Sequence, residues 1–288
     1  MNTDTQEDPQ AASNCAICSN KMTFSFANDE AKYYVCDTCG YLVPVIQDLD
    51  SRELNDEIYS ESFDQNLDVA AVVTSKRRRK YTQFLARVEG YRKTNRLLDI
   101  GCGGGRLLQV AAEKDWDAYG VDPAMKNLSQ ETREGVTVIP KLLHEAGFEP
   151  DFFDVVHANE LFEHVDDPLG LVRDILNVLR PGGVLVFRTP NHDSWTKKAV
   201  GTHWRELGVL RKGHVGFFSP RTARRMLTDM GFDKVKIETH HFSMRDRWSV
   251  KTPVVGNLMR LGYRGLGQVA KLCGTGERMT VYGQVGSR

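Results

Sequence analysis

What this chain lacks narrows its class before any motif is read. It has no excess of charge, since 38 Lys and Arg balance 38 Asp and Glu over 288 residues. Bulk electrostatics therefore predict neither a strong nucleic-acid binder nor a partner for polyacids. No run approaches the ~20 consecutive apolar residues that a membrane-spanning helix needs. Residues 1–13 are polar and acidic, without the basic-then-apolar pattern of a secretory leader. They are expected to form a disordered tail, and the protein to be cytoplasmic. No internal repeat is present. Cysteine is scarce, with six in all, and four of these fall between positions 15 and 39.

Those four have a pattern. Cys15-x-x-Cys18 and Cys36-x-x-Cys39 are separated by seventeen residues. Each C-x-x-C turn can bring two thiolates to one tetrahedral ion, and residues 21–35 can form a hairpin between the two turns. The spacing predicts a zinc ribbon over residues 14–46. Two disulfides are the rival reading, which a reducing compartment disfavours. Four thiolates leave no open coordination position, so the zinc is expected to be structural. Residues 47–75 read as a linker or N-terminal extension. Cys102 sits in a glycine turn, where a small side chain suffices, and Cys273 supports no inference.

The densest signal begins at Leu97. Arg96 to Ile100 reads as a buried strand, and glycines follow at 101, 103, 104 and 105. Glycine accepts positive φ without steric cost and lets a ligand approach the backbone. From Arg106, Leu107, Leu108, Val110 and Ala111 define a helical face whose N-terminus presents free N–H groups to an anion. A second short strand ends at Asp122, where a carboxylate can accept both hydroxyls of a ribose. A dinucleotide fingerprint is G-x-G-x-x-G, but here the last position is Arg106.

Further along, Asp154-Val155-Val156-His157-Ala158 reads as a buried strand leading into Asn159-Glu160-Leu161-Phe162-Glu163-His164-Val165. Asp167-Pro168 is a helix cap followed by proline in the first turn, and Ser219-Pro220 repeats the device. Arg180-Pro181-Gly182-Gly183 is expected to end the first of these helices, and Val184 to Phe187 to form the next strand. Residues 232–238 and 280–285 are expected to be the last two strands. Strands alternating with helices imply a parallel sheet covered on both faces.

Together, the Leu97–Gly105 stretch, Asp122, the Glu163-His164-Val165 triplet and the segment "LRPGGVLVFRTPN" resemble the class I S-adenosylmethionine (AdoMet)-dependent methyltransferases. The resemblance covers roughly residue 76 to the C-terminus. It implies an α/β, Rossmann-like seven-stranded, mostly parallel sheet with helices on both faces, the last strand antiparallel and inserted near one edge. It implies AdoMet as cofactor, held by Asp99, Gly101, Cys102, Gly103, Gly105 and Asp122. Asn159 would lie close to the methyl group. Relatives often carry an acidic residue near the adenine after the third strand. Here that region reads Ile139-Pro140-Lys141-Leu142-Leu143, so Leu142 and Leu143 are expected to supply apolar and backbone contacts instead.

Methyl transfer is an in-line displacement that chiefly needs orientation, and a hydroxyl acceptor also needs a base. Glu160, His164 and His214 are the candidates. The plain alternative for the two histidines is that they order their loops. The Asn/Asp-Pro-Pro-Tyr signature of relatives acting on planar nitrogens is absent, which favours oxygen on a small molecule or sugar. Residues 190–219 form an insertion with His192, Trp195, His203, Trp204, His214, Phe217 and Phe218, which either wall an acceptor pocket or pack as a cover.

Residues 243–277 form a second insertion, suited to a cover, a dimer contact or a peripheral membrane helix. The chain is expected to be a monomer or homodimer. Tyr59-Ser60-Glu61-Ser62-Phe63 is similar to a segment that folds over the cofactor in relatives. The run Lys76-Arg77-Arg78-Arg79-Lys80 is either a phosphate grip or the solvated face of a helix. Two alternatives stand beside the small-molecule enzyme. One is an RNA methyltransferase using the zinc module and this basic run. The other is a non-catalytic AdoMet-binding regulator.

Overall fold

The structure, a computed structural model, describes residues 14–46, 73–125, 131–133, 135–208, 213–240, 269–270 and 273–287. The Tyr59–Phe63 segment and nearly all of the second insertion lie outside the described residues. Two sheets organise the rest. A small antiparallel sheet has the order β1 (Met22–Ala27), β2 (Lys32–Cys36), β3 (Leu42–Val45). Its first two strands are the hairpin expected between the two C-x-x-C turns.

The large sheet contains the seven expected strands, β4 (Arg96–Ile100), β5 (Asp117–Val121), β7 (Val136–Ile139), β8 (Phe153–Asn159), β9 (Leu179–Pro190), β10 (Lys234–His240) and β11 (Arg278–Gln284). An additional short strand, β6 (Glu131–Arg133), pairs antiparallel with β7 at one edge. The order across the sheet is β10-β11-β9-β8-β4-β5-β7-β6. β11 is antiparallel to both neighbours, as the resemblance implied. The strand β9 begins at Leu179, directly after the helix, so Arg180 to Gly183 belong to the strand rather than to a separate turn.

Two-residue alternation sorts the sheet's side chains into two cores. Leu97, Val155, Val184 and Val186 face one side, with α1 (Ser75–Val88) and α2 (Arg106–Ala112) covering them through Leu85, Val88, Leu107 and Leu108. Leu98, Val156, Leu185 and Phe187 face the other side. There α3 (Pro168–Val178) supplies Val172 and Ile175, and α5 (Pro220–Asp229) supplies Ala223, Met226 and Leu227. The caps form as the sequence suggests. Asp167 Oδ1 accepts from Gly170 N at 2.8 Å and Ser219 Oγ from Thr222 N at 3.2 Å. Residues 76–80 are exposed on α1, the solvated-face reading.

The N-terminal edge of the sheet is closed by a structural ion pair. Burial opposes ionisation of Asp154, but hydrogen bonds from Arg180, Lys93 N and Thr94 N outweigh it and hold the carboxyl below its usual range. The C-terminal edge carries the glycine turn, Glu160 to His164 and the first insertion. That insertion is more ordered than its composition suggested. Ser194 caps a short helix, α4 (Trp195–Val200), and two 3-10 turns follow at Gly201–His203 and Arg205–Leu207.

Candidate functional site

At the end of β4 the chain takes three left-handed steps, at Gly101 (φ +70), Gly103 (φ +48) and Gly105 (φ +64). A side chain at Gly103 would meet nothing within 4 Å, so the turn is open at that position. Asp122, buried at the end of β5, spans this turn. Its Oδ2 accepts from Gly103 N at 2.8 Å and its Oδ1 from Ala124 N at 3.0 Å. Each carboxylate oxygen has a second lone pair for an incoming hydroxyl. Burial raises the Asp122 carboxyl above its ordinary value.

Asp99, also buried, pairs with His157 Nδ1 at 2.7 Å across β4 and β8, and Phe84 of α1 lies against that imidazole. Cys102 is buried, and together with Leu108 it leaves no room for a side chain at Gly120. A Cβ there would lie 2.7 Å from the Cys102 sulfur. That is the packing role. Burial pushes the Cys102 thiol up, first of all, and the nearby Asp99 and Asp122 charges add to it. Of the two leucines after β7, Leu143 is buried in the core while Leu142 is 46 % exposed. Asn159 is exposed at the C-terminal end of β8.

The three proposed bases lie in different settings. Glu160 has φ +54, a left-handed conformation that a residue with a Cβ adopts only under constraint. The constraints are its N–H, which donates to Arg188 O at 2.7 Å, and its carboxylate, which sits 2.8 Å from Arg278 Nη1 and 3.6 Å from Arg188 Nε. Arg278 also reaches the buried Glu206 at 3.1 Å. Glu160 is thus fixed in a charge network that ties β8, β9, β11 and the first insertion together.

His164 and His214 converge. They come from residues fifty apart in sequence, yet their ring centroids are 4.8 Å apart. Each Nδ1 contacts a backbone carbonyl, Gly213 O at 3.0 Å for His164 and Glu206 O at 2.9 Å for His214. A carbonyl only accepts, so each Nδ1 carries a proton and the neutral ring has its lone pair on Nε2.

Glu163, which sequence reasoning passed over, completes the cluster. Its carboxyl is buried, accepts from Thr189 Oγ1 at 2.8 Å, and is pushed up to about 8 by burial and by the Glu160 charge. Its backbone carbonyl accepts from Val215 N and Gly216 N, which is what delivers His214 to the site. Among the described residues, donor atoms of Glu163, His164 and His214 lie within 4.8 Å of one another, close enough for a cation to span.

The other such group is the expected one. The four sulfurs of Cys15, Cys18, Cys36 and Cys39 fall within 4.8 Å of one another, with Cys15–Cys39 at 3.5 Å and Cys18–Cys36 at 3.4 Å. A disulfide would need ~2.05 Å, whereas tetrahedral thiolates about 2.3 Å from one ion sit a little under 4 Å apart. The donors therefore fit a tetrahedral metal. Hydrogen bonding from Cys39, against burial, draws the Cys15 thiol down to about 5, while that same bond and burial push Cys39 up and burial pushes Cys36 up, so the first proton leaves from Cys15.

Three aromatic residues of the first insertion, Trp204, Phe217 and Phe218, are packed into the core, while Trp195 is half-buried. Trp204 and Phe217 are buried against Tyr33 and Leu42 of the small sheet, and Phe218 against Tyr41. His192 donates from Nε2 to Gly40 O at 2.8 Å, and burial lowers its ring to about 4. His203 is exposed.

A three-glycine turn spanned by a buried carboxylate, on the C-terminal edge of this strand order, defines a Rossmann-like transferase. A family model described as a methyltransferase domain matches residues 73–237. The chain belongs to that family and is an AdoMet-dependent methyltransferase. It is similar to ubiquinone biosynthesis O-methyltransferases. The Aliivibrio fischeri protein is 29% identical over 168 residues, 54% of this chain and 71% of that one. The protein from Cereibacter sphaeroides strain ATCC 17029 is 30% identical over 171 residues, 54% and 68% respectively.

Solved structures share the fold. An AdoMet-dependent methyltransferase from Archaeoglobus fulgidus has a TM-score of 0.50 at 19% identity, over 80% of this chain and 99% of that one. Phosphoethanolamine N-methyltransferase 2 of Haemonchus contortus, solved with AdoMet, has 0.51 at 17%, over 86% and 62%. No helix among the described residues is long and apolar enough to cross a membrane.

Proposed function

We propose that this enzyme moves the AdoMet methyl group to an oxygen of a hydroxylated small molecule, with one of the two imidazoles, His164 or His214, receiving the acceptor's proton. The observation that carries the reading is the convergence of these two rings, each with Nε2 as its basic atom, on the same sheet edge as the glycine turn. The names of the curated relatives support oxygen as the acceptor atom.

AdoMet, when bound, supplies a methyl group on a sulfonium that is already a good leaving group. The chain's own residues then do four things. The turn at Gly101, Gly103 and Gly105 admits the donor against bare backbone, with Cys102 packing beneath it. Asp122 accepts its ribose hydroxyls, Asp99 in β4 leads into the turn, and Leu143 with Leu142 and Asn159 borders the remainder. Glu160, held by two arginines, shapes the loop after β8 and does not act as the base. Glu163, neutral at pH 7 because of its burial, places no charge beside the histidines. An imidazole acting as base suits an acidic hydroxyl of the phenol type better than an alkyl alcohol.

The same reading makes residues 14–46 a zinc ribbon whose four cysteines hold a structural ion, ahead of a transferase domain over residues 76–288. Incubation with methyl-labelled AdoMet and separate pools of phenols, sugars, amines and RNA tests the acceptor class. Label in the phenol or sugar pool, as an alkali-stable methyl ether, is expected. Label confined to the amine or RNA pool overturns it.

A further inference from the structure

The ribbon and the first insertion share one small core. Ala31, Tyr33 and Leu42 come from the ribbon, and Trp204, Leu207 and Phe217 from the insertion, all of them buried against one another. The ribbon's other buried residues, among them Ile17, Met22, Tyr34 and Tyr41, belong to the main core, together with Phe218 and Ala223. Directional bonds lie around the small core. Tyr33 Oη donates to Leu207 O at 2.5 Å, and Leu42 and Phe217 exchange backbone hydrogen bonds at 3.2 and 2.8 Å. The metal-binding turn itself takes part. Thr222 Oγ1 donates to Cys39 O at 2.9 Å, and Tyr41, two residues beyond Cys39, fills the space beside Gly216, where a Cβ would come within 2.0 Å of its oxygen.

From there the path to the histidines is short. Val215 N and Gly216 N bond Glu163 O, and His214 precedes them. By contrast, no hydrogen bond among the described residues links the ribbon to the glycine turn or to Asp122. The ribbon's directional bonds reach one side of the site only.

We infer that the ribbon is a positioning module for the histidine side of the site. With its four thiolates on a metal it holds residues 204–208 and 213–218 in place, and so sets His214 against His164, while the AdoMet side is formed without it. This rests on the transferase reading for its functional meaning, but the test does not. Its positioning residues are Tyr33, Tyr41 and Leu42.

The full-length, metal-loaded protein is compared with the same protein after zinc withdrawal by a strong chelator under reducing conditions. Amide hydrogen exchange is read by mass spectrometry and AdoMet affinity by calorimetry. Exchange across residues 204–208 and 213–218 is expected to rise at least ~10-fold, with Phe217 N the direct reporter, while β4 and β5 keep their protection and AdoMet affinity stays within ~2-fold. Tyr33→Phe, which leaves every cysteine in place, should speed exchange near Leu207 with metal content unchanged.

A protein that carries no metal overturns the inference, as does unchanged exchange in these segments. An equal rise over β4 and β5 also overturns it, because the ribbon would then only stabilise the whole fold. A loaded protein that fails to bind AdoMet would instead defeat the transferase reading and leave the exchange result standing.

Discussion

The two sides of this site are assembled in opposite ways. The glycine turn and its carboxylates, Asp99 to Asp122, come from one strand-turn-helix-strand unit and are held by bonds inside it. The histidine side draws on β8, β9, β11, the first insertion and, through Tyr33 and Tyr41, the ribbon. The difference teaches where variation can enter. In the proposed reading a self-contained unit keeps the donor fixed, while the acceptor side, drawn from five separate segments, can be reshaped by changing any of them.

Substitutions can break the comparison or sharpen it. Removing the basic atom should have the largest effect. Replacing His164 or His214 by alanine is expected to lower kcat by ~10²–10⁴-fold for at least one of the two, the usual range for a general base. AdoMet affinity by calorimetry should not move. If AdoMet binding falls in parallel, the two sides are not separable. The mirror experiment is Asp122→Ala. Losing two charge-assisted hydrogen bonds should weaken AdoMet by about 100-fold or more, with exchange at Phe217 unaltered.

A smaller effect is expected at the joint. Gly216→Ala would place a Cβ 2.0 Å from the Tyr41 oxygen and must push loop and ribbon apart. An overpacked contact of this kind costs about 1–3 kcal/mol. It should appear as a raised acceptor KM with AdoMet affinity preserved.

The smallest effect is a pH dependence. Glu163 is pushed up to about 8 from 4.5, so between these values the folded protein binds a proton that the unfolded chain releases. The stability tied to this proton is complete below pH ~4.5 and is lost as pH rises through about 8. Glu163→Gln, which keeps the shape and removes the titration, should flatten the melting temperature between pH 6 and 9. A wild-type curve already flat over that interval would contradict the assignment.

The same contrast decides what could be read in advance. The turn side is local, so strand pattern, glycine spacing and a carboxylate some twenty residues on were enough to locate it. The four cysteines were legible for the same reason, because two short turns carry them. His164 and His214 could each be nominated by residue type, but nothing in one dimension showed that they meet. Glu160 was nominated as a third base from its place after β8, and its two arginines, from β9 and β11, could not be read from the sequence. Glu163 was passed over because its raised carboxyl depends on burial beneath β9 and on the Glu160 charge. The aromatic residues of the first insertion were read as a pocket or a cover. Their partners, Tyr33 and Tyr41, lie some 175 residues earlier, and no periodicity reports a contact across that distance.

That distance has a further consequence. Tyr33 meets Leu207 across 174 positions, and Cys39 meets Thr222 across 183. Contacts so far apart in the chain close late and slowly. On the ribosome the ribbon emerges first, and its docking surface at residues 204–208 and 213–222 is synthesised more than 150 residues later. For all of that interval Tyr33 has only Phe26 and its own strands beside it, and the cover that Trp204, Leu207, Phe217 and Phe218 give to Tyr33, Leu42 and Tyr41 is still to come. The ribbon must therefore persist alone, a few dozen residues too small for a self-sufficient apolar core. A tetrahedral ion gathered by four nearby thiolates is the kind of fastening that lets so short a piece wait.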